Sequence, residues 1–236
     1  MLINIGRLYG RKLGALDGEI GQVEDFYFDD RNWVVRYVVA DTASWLTGLQ
    51  VLLSPHAFGI LHPAENALSV HLTRQQIENS PSIELHKPVS RQYEEEHYQY
   101  YGWPSYWEGN ELWGMSGIPV VLPIMPPADE PAATHGLQSN RADAHLRCAE
   151  AVKGYHIKTI DGTIGHVNDF MMDAQSWAIQ KLVIKIGHLF SGREVEIPTN
   201  RVDRISFEES TVFVNMTNKD VEQSPDHLLV GDSAAD

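Results

Sequence analysis

The chain has 236 residues, 18 basic against 32 acidic side chains for a formal net charge of −14, and 43% hydrophobic residues. That apolar share excludes wholesale disorder, because it is enough to bury a core. The acidity argues against phosphate-rich partners, since Lys and Arg supply most of the affinity for nucleic acids and anionic lipid surfaces.

Taken in chain order, the segment Met1 to Arg7 lacks the basic region and apolar core of a secretory signal. Asp17-Gly18 is a two-residue hairpin signal, because glycine accepts the positive φ of a type I′ turn. Strands are expected at Ile20 to Phe28, at Trp33 to Ala40 after a polar turn over Asp29 to Asn32, and at Val51 to Leu53. Pro63 to Asn66 marks a further turn. Thr73 starts a helical turn with Gln76 placed for a capping box, and Ser80-Pro81 stops it. Residues 82–147 then differ in composition. Ser90 to His97 predicts a short acidic helix, and between Tyr93 and Trp113 stand eight aromatic residues in 21 positions. Prolines follow at 119, 123, 126, 127 and 131, and Pro126 to about Ala142 has the composition of a flexible linker. The longest apolar stretch, Ile118 to Met125, is broken by Pro119 and Pro123 and falls short of the roughly 18 residues a spanning helix needs, so no membrane insertion is expected. The single cysteine, Cys148, cannot form an intramolecular disulfide and fits a reducing compartment, which predicts a cytoplasmic protein.

After the connector the first pattern returns at a constant offset, Asp17 to Asp161 being 161 − 17 = 144 residues. Asp17-Gly18-Glu19-Ile20-Gly21-Gln22-Val23-Glu24-Asp25-Phe26 matches Asp161-Gly162-Thr163-Ile164-Gly165-His166-Val167-Asn168-Asp169-Phe170, and Asp29, Trp33, Val39, Gly48, Val51, Thr73 and Ser80-Pro81 each meet an identical residue without a gap. This is a duplication of one module, about residues 6–81 and 150–225. Its second copy predicts strands over Ile164 to Met172, Trp177 to Ile184, Val195 to Ile197, Val202 to Phe207 and Thr211 to Met216. Thr217 then begins a helical turn in which Asp220 is a looser capping partner.

The D-G-x-I-G-x-V-x-D-F motif, the turn, the hydrophobic strand opening on an aromatic residue and the later Val51-Leu52-Leu53-Ser54-Pro55 resemble the PRC-barrel family. That family includes the cytoplasmic domain of the photosynthetic reaction centre H subunit and the C-terminal domain of a ribosome maturation factor. The resemblance covers both copies and not the connector. It implies an all-β fold of two antiparallel barrels in tandem, about six strands each and each ending in a short helix, that bind other proteins without catalysis. The membrane-spanning segment of the reaction centre subunit and the RNA-associated domain of the maturation factor have no counterpart. Tandem PRC-barrel proteins of bacteria look nearest. The expected division is repeat 1 over 1–81, connector over 82–147, repeat 2 over 148–225 and a disordered tail over 226–236.

Within the motif, Asp17, Gly18, Gly21, Asp25, Asp161, Gly162, Gly165 and Asp169 are expected to be mainly structural. Gly21 and Gly165 fit close strand crossings or bulges. Asp25 and Asp169 lack a second carboxylate for acid–base work and fit the satisfaction of backbone donors better than a ligand role. The connector aromatics Tyr98, Tyr100, Tyr101, Trp103, Tyr106, Trp107 and Trp113 have two readings. They form a docking patch, as Tyr and Trp do at binding hot spots, or they pack back onto a barrel. Trp45 and Leu46 in one loop, with Leu189 and Phe190 in its counterpart, are further candidates for partner binding. The eleven histidines show no metal-ligand spacing, and neither a nucleophile motif nor a phosphate loop is present. The expectation is therefore a non-catalytic adaptor without cofactor or metal, binding a protein partner and not nucleic acid directly, with a homodimer open to it. The competing expectations are an accessory subunit docking on a photosynthetic or electron-transfer complex from the cytoplasmic side, and a ribosome-maturation-type factor.

Overall fold

The computed structural model describes residues 1–42, 50–58, 61, 67–81, 89–121, 145–187 and 192–227. Thirteen strands are described. In chain order they are β1 (Leu2–Asn4), β2 (Lys12–Ala15), β3 (Gly18–Asp29), β4 (Val34–Asp41), β5 (Gln50–Leu53), β6 (Ala67–Ser69), β7 (Leu146–Cys148), β8 (His156–Lys158), β9 (Thr163–Asp173), β10 (Ile179–Ile186), β11 (Arg193–Pro198), β12 (Val202–Ser206) and β13 (Thr211–Val214). Four short helices accompany them: α1 (Arg74–Glu78), α2 (Arg91–Tyr101), α3 (Ala149–Val152) and α4 (Asn218–Glu222). Among the described residues, no helix is long and apolar enough to cross a membrane.

The chain forms two compact units. The first comprises Met1, Leu8–Ala149 and Asp173–Ala178, and the second Leu2–Arg7, Glu150–Met172 and Ile179–Asp236. The first unit is built on a sheet of order β5-β4-β3-β2-β6, with β7 also on β3. The second has the order β11-β10-β9-β8-β13-β12, with β1 also on β9. The β-rich class expected from the sequence is present. The sheets are nevertheless mixed rather than antiparallel, because β2 with β6 and β8 with β13 run parallel. Among the described residues, no pairing joins the two ends of either path, so backbone hydrogen bonds do not close a barrel.

The 144-residue offset carries through to the irregularities. Between β3 and β4 the register slips at Glu24 and at Arg36, and between β9 and β10 it slips at the matching Asn168 and Gln180. Each slip is a bulge that bends the strand and increases its twist. Gly21 and Gly165 lie where the bent strands cross. A β-carbon would stand 1.9 Å from the Asp41 carbonyl oxygen at Gly21 and 2.3 Å from that of Lys185 at Gly165, so no side chain fits. Gly21 in addition holds φ at 127°.

Three local expectations are revised. Ala15 pairs with Gly18, so the first hairpin turns on Leu16-Asp17, and Lys158 pairs with Thr163, which leaves Thr159 to Gly162 as the second turn. The aspartates serve the helices instead: Asp17 Oδ1 accepts from Arg74 N and Asp161 Oδ1 from Asn218 N, each at 2.8 Å, at donors that a helix start leaves open. The strands that the sequence begins at Trp33 and Trp177 start later, at Val34 and Ile179, because both tryptophans hold positive φ, 55° and 58°. Left-handed backbone at a bulky residue costs roughly 1–2 kcal/mol. It is offset by packing of Trp33 on Phe28 at 5.5 Å and by complete burial of Trp177 against Phe58. Finally, Asp220 completes a capping box with Thr217 just as Gln76 does with Thr73.

Replacing Gly165 by Ala should lower unfolding stability by roughly 1–3 kcal/mol through overpacking, and Gly21→Ala should cost more because its φ is also strained. Urea denaturation of the two variants checks both the loss and its order.

Candidate functional site

The connector supplies the densest chemistry of the first unit. Ser90 caps α2 by accepting from Tyr93 N at 3.2 Å, and Gly102, at φ 68°, ends it with its amide turned back to Tyr98 and Gln99. Between them Glu94, His97, Tyr98 and Tyr101 fall at the i, i+3, i+4, i+7 spacing of one helical face. All four are buried.

Beneath that face lies a charged cluster. The Glu94 carboxylate accepts from the Tyr106 hydroxyl at 2.5 Å and the Tyr37 hydroxyl at 3.4 Å. Arg91 Nη1 stands 3.2 Å from Glu94 Oε2 as an ion pair without directed hydrogen-bond geometry, and His145 Nε2 approaches to 3.9 Å. The neighbouring Arg36 is 1% exposed. It donates to the Leu112 carbonyl at 2.6 Å and to Asp29 at 3.2 Å, and its guanidinium lies over the rings of Tyr106 (3.8 Å) and Trp113 (4.9 Å). The bulge at Arg36 aims this side chain into the cluster. Burial pushes the Asp29 carboxyl up, but the Asn32 hydrogen bond, the Arg36 charge and the Arg31 amide outweigh it and leave the carboxyl below the ordinary range. At Glu94 burial prevails over Arg91 and Tyr106 and raises the carboxyl to about 7.

Beside the charges stands an aromatic layer. His97 Nε2 bonds the Leu52 carbonyl at 3.0 Å, Tyr98 shares a hydrogen with Ser54 at 3.1 Å, and His56 Nδ1 bonds the Val120 carbonyl at 2.9 Å. Trp103 stacks on Tyr101 at 4.3 Å, and Trp113 donates to the Ser176 carbonyl at 2.8 Å. Among the described residues, Nδ1 of His97 and Nε2 of His56 meet no hydrogen-bond partner. Burial lowers both rings, His97 to about 4, so His97 is neutral near pH 7.

Of the predicted connector residues, Tyr98, Tyr101, Trp103, Tyr106 and Trp113 are therefore buried in the first unit. Tyr100 and Trp107 are half-buried, the former bonded to the Gln76 carbonyl and the latter lying under Arg91. The packing reading describes them. Trp45, Leu46, Leu189 and Phe190 lie outside the described residues, as does the tail beyond His227. Asp25 accepts from Phe26 N, Tyr9 and Cys148, and Asp169 from Phe170 N and Gly6 N, so each satisfies the next backbone amide and a donor distant in the chain. Burial raises the Asp169 carboxyl against those bonds. Among the described residues, no cluster of three or more potential metal ligands occurs.

Among the described residues, the second unit has no such cluster on the matching face. Arg36, Tyr37, Leu52, Ser54 and His56 correspond to Gln180, Lys181, Glu196, Pro198 and Asn200, all exposed or half-buried. There Lys181 pairs with Glu196 at 2.7 Å, and His227 bonds the other Glu196 oxygen at 2.8 Å. An open hollow of about 400 Å³ lies elsewhere in the unit, lined by His156, Lys158, Thr163, Glu209, Thr211 and Phe213.

Sequence reasoning missed Arg36, Asp29, His56, Glu94, His97 and His145 as one group. A signal did exist for two of them: Arg36 interrupts an otherwise apolar strand, and Glu94 shares the helical spacing of its buried neighbours. No protein-family model matches the sequence, and no curated protein matches it.

The two buried groups titrate in opposite senses. Folding raises Glu94 from 4.5 to about 7, so the folded chain holds the extra proton and stability falls as pH rises through that interval. Folding lowers His97 from 6.5 to about 4, so stability falls as pH drops through that interval. Where the intervals overlap the slopes oppose. Glu94→Gln should unmask a stability that rises with pH, and His97→Asn one that falls with pH by on the order of 3 kcal/mol across the Glu94 interval. Urea midpoints measured between pH 4 and pH 8 check the signs.

Proposed function

We propose that the chain is a non-catalytic adaptor that binds another protein, built from two PRC-type barrel modules. The modular reading is supported by the shared strand order, the matched bulges and the two capped helices at equivalent positions. The buried charged cluster fits a structural seal better than a reactive centre. Glu94 and His97 are fully enclosed, and acid–base chemistry needs a substrate within hydrogen-bond reach.

One observation carries the binding role. Next to the sealed aromatic layer, the segment from Met115 to Val121 is held at Ser116 and at Val120. Trp113 donates through its amide to the Ser116 carbonyl at 2.8 Å and is itself buried, and His56 holds the Val120 carbonyl. Around these anchors Met115 is 93% exposed and Ile118 51%, with Val120 and Val121 also exposed. An apolar strip already fixed in shape loses little entropy when a partner covers it. The connector aromatics thus support the binding surface from beneath instead of forming it.

Replacing Met115 and Ile118 together by Ser should abolish recovery of the main cross-linked partner from native cells, identified by mass spectrometry, while thermal unfolding stays unchanged. Undiminished recovery of that partner by the double variant would discard the strip as the binding surface.

A further inference from the structure

The short segment just before each copy, residues 2–5 and 146–149, continues the 144-residue offset and so opens it, and it is built into the unit of the other. The offset of 144 maps β1 (Leu2–Asn4) onto β7 (Leu146–Cys148) and β3 onto β9. Yet β1 pairs with β9, and β7 pairs with β3. The bonds are equivalent to the residue: Ala174 N donates to the Met1 carbonyl at 2.9 Å, and Asp30 N donates to the His145 carbonyl at 3.0 Å. Gly6 N adds a bond to Asp169 at 3.0 Å, and Arg147 an ion pair to Asp30 at 2.5 Å. The donated segments also fill cores. Ile3 and Ile5 are buried in the second unit, and Leu146 and Ala149 in the first.

We infer that the edge of β3 and of β9 is a peptide-binding slot whose occupant is the opening segment of the other copy. Strand addition of this kind draws affinity from main-chain hydrogen bonds and specificity from alternate side chains in pockets. The module that duplicated in the sequence is therefore not the module that folds, and reciprocal complementation joins the two halves of the sequence independently of the connector.

The test uses the full chain with a protease recognition sequence inserted between Ala133 and Thr134. After cleavage the two pieces should migrate together in size-exclusion chromatography and separate only in denaturant. Gly6→Val should weaken their association by roughly tenfold or more, because a β-carbon there would stand 2.1 Å from Asp169 Oδ2. Should that variant fail to fold, Arg147→Ala reads the other slot and should weaken association by about threefold to tenfold. Pieces that part under native conditions would overturn the inference. So would association that neither variant weakens.

Discussion

At Gly21 and Gly165 the neighbouring strand passes so close that a β-carbon would overlap its carbonyl oxygen. The long strands can make that approach only by bending, and the bulges at Glu24 and Asn168 provide the bend. On its two edges β3 then pairs with β4 on one side and with β2 and β7 on the other, and β9 does likewise with β10, β8 and β1. Turns, caps and exchanged segments are arranged about this one bent strand per copy. The identical residues of the duplication cluster along it for that reason.

A shared frame has been given two different surfaces. In the first unit β4 is buried on both faces, since α2 and the turn after it cover the side that would otherwise meet water. Covering it removed solvent from Arg36, Asp29 and Glu94, and each had to be met by an opposite charge, a hydroxyl or a carbonyl. The second unit keeps the corresponding side wet with Gln180, Lys181 and Glu196, where an ion pair is screened and contributes little. Divergence between the copies is thus concentrated where one was covered and the other was not. Burial of the connector also explains how a chain so rich in Trp and Tyr over a short span avoids presenting them to solvent.

The opening segments show a different kind of division. Leu2–Arg7 and Leu146–Ala149 are ordinary in composition, and nothing about them alone distinguishes pairing within a copy from pairing across copies. The choice is one of connectivity, and it makes the folding unit a composite of two separated stretches of chain.

The repeat, its constant offset, the β-rich class, the capped helical turns and the glycines that admit a close crossing were legible in the residues alone. These are local or periodic properties, carried by residues with one conformational or steric use. The sequence left the connector aromatics between two readings and placed Glu94 in a short acidic helix without its partners, because a charge reveals its burial only through the partners that fold around it. Tertiary structure decided that Arg36, Glu94 and His145 meet, that two tryptophans hold left-handed backbone, that each sheet includes a parallel pair, and that the opening strands change places. All of these depend on contacts between residues far apart in the chain, whose energies no local pattern encodes.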